Sequence, residues 1–313
     1  MPSGLIDPRP DFFLVGAPKS GTSALYSYLR QHPDVFMPEF KEPHFFGSDH
    51  ERLNHERFTQ EQYLGLFAAA YHGQRVGEGS TSYLHSRSAA REISAFSPDA
   101  RIIAILRQPV EVMYAYHSEQ LVGGFEFVTD FEEALASEEP RKRGIGLPWL
   151  RAGIRENLYY REVVNYAPQV ERYLEAFGPA RVRVFLFEDF VLRTSEVFRE
   201  TLEFLGLDTS FSPSFEVVNS NRNVRSPWLH RLLLTPPESL RKPVRVILPA
   251  KVRDDLRVRA STLNTTLAPR PPLQPALRAR LLDELRPGIE RLAALLDRDL
   301  SAWTTPVLSL IHI

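Results

Sequence analysis

Residues 11–23 read Asp11-Phe12-Phe13-Leu14-Val15-Gly16-Ala17-Pro18-Lys19-Ser20-Gly21-Thr22-Ser23. An apolar, β-type run breaks into a glycine loop and then enters Ala24-Leu25-Tyr26-Ser27-Tyr28-Leu29, whose apolar spacing predicts a helix. A loop of this kind leaves backbone N–H groups at a helix N-terminus, where unpaired donors and the helix dipole favour a phosphate or a sulfate. A Walker loop is G-x-x-x-x-G-K-[ST]. Gly16 and Gly21 keep that glycine spacing, but Thr22 stands at the lysine position and the only lysine of the loop, Lys19, lies inside it. The pattern therefore reads as an anion cradle and disfavours nucleoside triphosphate hydrolysis.

Outward from the loop, short β-rich runs alternate with longer helical patterns. Strands are expected at 11–15, 35–37, 75–77, 101–106 and 182–187, and helices at 22–31, 60–70, 87–96, 109–121, 156–177, 194–205 and 276–300. Such alternation predicts an α/β chain, a P-loop-like three-layer fold with a central parallel sheet flanked by helices. The 313 residues, 43% hydrophobic and 25% charged, suffice for a full core, and residues 1–307 are expected to form a single domain. The final stretch 308–313, Leu308-Ser309-Leu310-Ile311-His312-Ile313, looks like a translated sequencing adapter and is read as a scar, not native sequence.

The absence of cysteine excludes disulfides, thiolate metal sites and cysteine nucleophiles. Without a signal-like N-terminus or an apolar run near the roughly 20 residues of a membrane span, the expectation is a soluble cytoplasmic protein with no transmembrane segment. A formal net charge of −1 argues against a nucleic-acid partner. Residues 222–259 carry ten Lys or Arg against Glu238, Asp254 and Asp255, which suits either a solvated face or a surface for an anion. Metal chemistry is not expected: His50-Glu51-Arg52-Leu53-Asn54-His55 has one residue too many for an H-E-x-x-H helix face. No G-x-S-x-G elbow nominates a serine nucleophile.

Three further stretches carry chemistry. Lys41-Glu42-Pro43-His44-Phe45-Phe46 follows the second expected strand, and in an open parallel sheet it should open onto the same crevice as the loop. Glu42, ionised at neutral pH, suits a general base, while a surface Lys41–Glu42 pair with His44 and the phenylalanines in the core is the competing reading. Arg101 to Leu106 reads as a buried strand ending at Arg107, with Pro109 set to open a helix; the planar guanidinium suits bidentate contact with a phosphate or an ordinary ion pair. In Gly77-Glu78-Gly79-Ser80-Thr81-Ser82-Tyr83-Leu84, Glu78 is read equally as a second acid or as a capping and packing residue.

Taken in order, Gly16 to Ser23, Lys41 to Phe46 and Arg101 to Pro109 resemble the motifs of sulfotransferases that use 3′-phosphoadenosine 5′-phosphosulfate (PAPS), in the bacterial branch related to carbohydrate and heparan-type enzymes. The resemblance covers roughly residues 10–230. It implies transfer of the sulfuryl group of PAPS to a hydroxyl (or amine) of a small-molecule, glycan or lipid acceptor by direct in-line displacement, releasing adenosine 3′,5′-bisphosphate without a metal. It further implies that Lys19, Glu42 and His44 are catalytic and that Pro18, Lys19, Ser20, Gly21, Thr22, Ser23 and Arg107 hold the donor. Asn221 to Ser226 resembles a basic loop over the cofactor, which adds Arg225.

One departure stands out. The family's second 3′-phosphate contact is a serine eight residues beyond the arginine, and here that position is Ala115; Tyr116, His117 and Ser118 are the nearby substitutes, with Ser118 nearly one helical turn further on. Two alternatives stay open: a P-loop kinase of a small molecule, and a degenerate protein that binds nucleotide or glycan without catalysis. Arg141-Lys142-Arg143 hints at an acidic acceptor or is a solvated run, and Phe125, Phe127, Trp149, Tyr159 and Tyr160 are lining or core aromatics.

Overall fold

The computed structural model describes residues 9–53, 57–146, 153–216, 222–224, 264–267 and 270–305. Elements run in the order β1 (Phe12–Gly16), α1 (Thr22–Leu29), β2 (Val35–Phe36), β3 (Arg52–Leu53), α2 (Gln60–Gly65), β4 (Arg75–Gly79), α3 (Ala89–Phe96), β5 (Arg101–Leu106), α4 (Pro109–Gly123), α5 (Phe131–Ala136), α6 (Glu138–Lys142), β6 (Gly153–Ile154), α7 (Tyr160–Val163), α8 (Tyr166–Phe177), β7 (Val182–Leu186), α9 (Phe187–Leu192), α10 (Thr194–Leu205), β8 (Arg222–Val224), β9 (Thr265–Leu267) and a long helix, Pro275–Leu296.

Five strands form one sheet in the order β2-β4-β1-β5-β7, and every described pairing in it is parallel. All five expected strands are in it. The apolar runs of β1 and β5 split by alternation between its two faces: Phe13, Val15, Ile102 and Ala104 pack with α3, α4, α8 and the long helix, and Phe12, Leu14, Ile103 and Ile105 pack with α1 and α10. Burial on both faces is why these strands are apolar throughout rather than alternating. Gly77 is fixed by contact, since a Cβ there would lie 2.1 Å from the Phe12 ring on the neighbouring strand.

The expected single helix over 156–177 is broken into a 3-10 turn (Arg155–Leu158), α7 and α8. Pro168 is the cause: a helix running through it would drive the ring into the Val164 carbonyl, whereas in the first turn of α8 it is tolerated. The short helices α5, α6 and α9 and the antiparallel pair β3–β6 were not expected, and β7 ends at Leu186 because Phe187 already belongs to α9. Chain order reverses at β1, whose neighbours β4 and β5 lie on opposite sides, and that places a crevice beyond its carboxyl end. Among the described residues no helix is long and apolar enough to cross a membrane.

Candidate active site

The loop from Gly16 to Gly21 leaves β1 at that crevice. The Ala17 N–H donates to the Ile105 carbonyl at 2.8 Å, which ties the loop to β5, and Ser20 Oγ donates to the Pro18 carbonyl at 3.2 Å. Gly21 caps α1 at φ 87°, a left-handed conformation that glycine adopts without cost, and no side-chain oxygen caps the helix. The helix entrance thus keeps the electropositive character of its N–H groups. Lys19 also has a left-handed backbone (φ 58°), and its Nζ lies 3.3 Å from Glu119 Oε2 on α4. Sequence reasoning did not anticipate this carboxylate on the loop lysine.

Glu42 and His44 come to the same mouth from the segment after β2. The Glu42 N–H donates to the Gly79 carbonyl at the end of β4 (3.0 Å), and the His44 N–H to Ser80 Oγ (3.1 Å). Both residues have left-handed backbones, φ 61° and φ 49°. Glu42 Oε1 accepts from Lys41 Nζ (3.1 Å), and Oε2 faces His44 Nε2 and Thr81 Oγ1, each at 3.3 Å. His44 is held from behind, its Nδ1 2.7 Å from Ser82 Oγ, and Lys41 Nζ also donates to Ser23 Oγ in α1 (2.8 Å). Burial alone would raise the Glu42 carboxyl, but His44 and Lys41 outweigh it and hold it down to about 2. One third of the side chain stays exposed (32%), so the carboxylate is both ionised and reachable. The expected Lys41–Glu42 pair and core packing of Phe45 and Phe46 are present, yet Glu42 and His44 stay at the surface of the crevice.

Of the two readings of Glu78, the structure shows packing within the core. The side chain is fully buried on β4 and accepts from Ser80 Oγ at Oε1 (2.7 Å) and from the Tyr63 and Tyr83 hydroxyls at Oε2 (2.9 Å each). Burial pushes its carboxyl up to about 7 against those hydrogen bonds. Because Ser80 Oγ also accepts the His44 N–H, Glu78 positions His44 through one hydroxyl. The Ser80-Thr81-Ser82 run was the available signal: its three hydroxyls serve Glu78 and His44, Glu42, and His44 in turn.

Arg107 follows β5 as expected. Its NH1 donates to the Lys19 carbonyl (3.2 Å), and its guanidinium stacks 4.5 Å from the centre of the Phe187 ring. Among the described residues no carboxylate reaches it as an ion pair, although burial lowers its pKa. Ala115 is buried on α4. Of its expected substitutes, Ser118 Oγ donates to the Tyr114 carbonyl (3.1 Å) and His117 Nε2 sits on the Val128 carbonyl (2.8 Å). Arg141 is not an acceptor contact: it is wholly buried in a two-bond pair with Glu126 (2.7 and 2.8 Å), whose Oε2 also accepts from Tyr160. Arg225, Trp149, His55 and the 308–313 stretch lie outside the described residues. Among those described, no cluster of three His, Cys, Asp or Glu side chains could hold a metal ion.

A sequence profile of the sulfotransferase domain matches residues 9–223, more than half of the chain. The structure is similar to the crystal structure of a sulfotransferase from Alicyclobacillus acidocaldarius, with a TM-score of 0.69 and 31% identity over 95% of this chain and 99% of that one. Among curated relatives, the chain is 40% identical over 101 residues to heparan sulfate glucosamine 3-O-sulfotransferase 6 of Homo sapiens, covering 32% of this chain and 28% of that protein. It is 27% identical over 246 residues to carbohydrate sulfotransferase 15 of Homo sapiens, covering 63% and 44%. The chain thus spans less than half the length of these two curated relatives.

Proposed function

The chain belongs to the sulfotransferase family, and from that premise we propose that it transfers the sulfuryl group of PAPS to a hydroxyl or amine acceptor. The observation that carries this reading is the meeting of Lys19, Glu42 and His44 at one mouth of the sheet. Each is held in a left-handed backbone, a strain that persists where the surrounding structure imposes it, often at functional sites. The residues present suit the donor: an uncapped helix entrance for the phosphosulfate, and a half-buried arginine that no described carboxylate meets as an ion pair for the 3′-phosphate.

When bound, the donor supplies a sulfur that bonds to the acceptor oxygen as its bond to the 5′-phosphate oxygen breaks. Glu42 takes the acceptor proton. Three of the roughly four acceptor positions on its carboxylate are filled by Lys41, His44 and Thr81, which leaves one for an incoming hydroxyl. His44, fixed by Ser82 and Ser80, keeps that carboxylate oriented. Lys19, on leaving Glu119, neutralises charge growing on the departing phosphate, and with the α1 entrance supplies the positive charge that kinases draw from magnesium. We read residues 1–307 as one such domain and, with no cysteine in the chain, place it in the cytoplasm. The acceptor is a glycan, a lipid or a small molecule.

Calorimetric titration tests the reading without knowledge of the acceptor. Adenosine 3′,5′-bisphosphate should bind more tightly than AMP or ATP–Mg²⁺, and turnover with labelled PAPS across an acceptor panel should follow. Preference for ATP–Mg²⁺ would revive the kinase, and nucleotide binding with every acceptor left unmodified would favour the non-catalytic binder.

A further inference from the structure

Resting on the donor reading above, we infer that Glu119 is a positioning residue that competes with the 5′ group of the nucleotide for Lys19, and so sets how tightly the protein holds its donor and how fast it releases the product. Two lysines stand at the mouth, and each meets one carboxylate: Lys41 pairs with Glu42 (3.1 Å) and Lys19 with Glu119 (3.3 Å). Glu42 has a task in the transfer. Glu119 has none there, yet it puts a negative charge beside the place where a polyanion binds, which costs donor affinity by like-charge repulsion. It lies on α4 one turn beyond Ala115, its side chain half exposed (51%), and Lys19 is its one ion-pair partner among the described residues.

The competition follows from how Lys19 is held. Arg107 NH1 donates to its carbonyl (3.2 Å) and its backbone is left-handed at φ 58°, so the main chain of the lysine is fixed in the loop. Only the flexible four-carbon stem can carry the ammonium from one anion to another. Two anions are in reach of that stem, the Glu119 carboxylate on α4 and the 5′-phosphate oxygens seated at the entrance of α1, and one ammonium cannot serve both fully. Glu119 also stands near the reacting centre: burial raises the Tyr116 hydroxyl, and the charges of Glu119 and Glu42 add to that, so both carboxylates lie within electrostatic reach of one group. Each binding of donor breaks the Lys19–Glu119 pair, and each release of adenosine 3′,5′-bisphosphate restores it. An ion pair this exposed shifts an equilibrium by up to about fivefold, enough to hasten release of the product without preventing binding of the donor.

Calorimetry with adenosine 3′,5′-bisphosphate and adenosine 3′-monophosphate tests the assignment, since the two differ only in the 5′-phosphate that Lys19 meets. Glu119→Gln should tighten the bisphosphate about three- to fivefold and leave the monophosphate within about 1.5-fold. Displacement of bound bisphosphate, followed by stopped flow, should slow by a similar factor. Glu119→Asp keeps the charge at the mouth but draws it back by one methylene, so it should give part of the same gain. In a Lys19→Ala background Glu119→Gln should change the bisphosphate affinity by less than about 1.5-fold, which makes the gain a coupling between the two residues. A bisphosphate affinity that is unchanged or weaker in Glu119→Gln, an equal change in both nucleotides, or a gain that persists in full without Lys19 would each overturn the assignment. A wild-type protein that binds the bisphosphate no better than adenosine refutes the donor reading itself, a result distinct from one in which only Glu119 proves irrelevant.

Discussion

Replacing Glu78 with glutamine should change how the stability of the whole protein depends on pH. In the folded state the Glu78 carboxyl titrates at about 7, raised by burial, whereas its ordinary value is 4.5. The folded protein therefore holds this proton more tightly than the unfolded chain. Its contribution is fully present below about pH 4.5, falls as pH rises toward 7, and is lost above that. The difference between 4.5 and about 7, at roughly 1.4 kcal/mol per pH unit, corresponds to between about 3 and 4 kcal/mol. Urea unfolding of the wild type and Glu78→Gln, followed by circular dichroism from pH 4.5 to 8, reads the difference directly. The raised acid Asp11 sits outside this pocket, near Arg75 and Val76, and is common to both proteins, so it cancels in the comparison. Relative to Glu78→Gln, the wild type should lose between about 3 and 4 kcal/mol across the window. Parallel curves, agreeing within about 1 kcal/mol at every pH, would show that the three hydroxyl donors keep Glu78 ionised and that burial does not set its titration.

Glu42→Gln should lower turnover by about 10²- to 10⁴-fold while adenosine 3′,5′-bisphosphate binding stays within about threefold, and turnover that survives intact would remove the base assignment. Because Lys41 and His44 hold Glu42 down to about 2, the wild-type rate should show no acidic limb from this group between pH 5 and 8; a limb near neutrality would assign the base elsewhere. Lys19→Ala should reduce turnover at least about tenfold, measured with labelled donor under saturating acceptor, through the lost charge on the leaving phosphate. Arg141→Ala should destabilise the fold by about 3 to 5 kcal/mol in a denaturant titration, because it strands the buried Glu126 carboxylate; a loss below about 1 kcal/mol would mean that water or Tyr160 compensates.

The sheet was legible because β1 and β5 are buried on both faces and their sequences say so in unbroken apolar runs. The loop was legible because Gly16 and Gly21 leave few other uses for their spacing. Tertiary partners were not. Nothing near Glu78 announces that Tyr63, from α2, and Tyr83 will converge on it, and an acid on a strand reads alike whether it faces substrate or core. The basic run at 141–143 read as a solvated loop or as a surface for an acidic acceptor, and not as core, because the partner of Arg141 is Glu126, fifteen residues earlier with no periodic relation. The break before α8 could have been read from Pro168, since its ring excludes a helix through Val164. The substitution at Ala115 was visible at once, whereas the packing of β8 against α4, which joins stretches about 100 residues apart, was not.

Four non-glycine residues among those described have left-handed backbones. One, Asp297, is an ordinary helix end, and the others are Lys19, Glu42 and His44. Each such conformation costs on the order of 1 to 3 kcal/mol and persists only where neighbours impose it. The neighbours are specific. Arg107 grips the Lys19 carbonyl, the end of β4 takes the Glu42 N–H, and Ser80, braced by Glu78, takes the His44 N–H. The three constraints come from the ends of β5 and β4 and the turn after it, the two strands flanking β1. Adjacent strands lie about 4.8 Å apart, so the sheet itself fixes the separation between the loop lysine, the Glu42 carboxylate and the arginine. A reaction that proceeds by in-line displacement with little covalent help from the protein needs that separation set before the substrates arrive. The buried Glu78 supports it from within the core, and for that reason its titration should be felt in the stability of the whole protein.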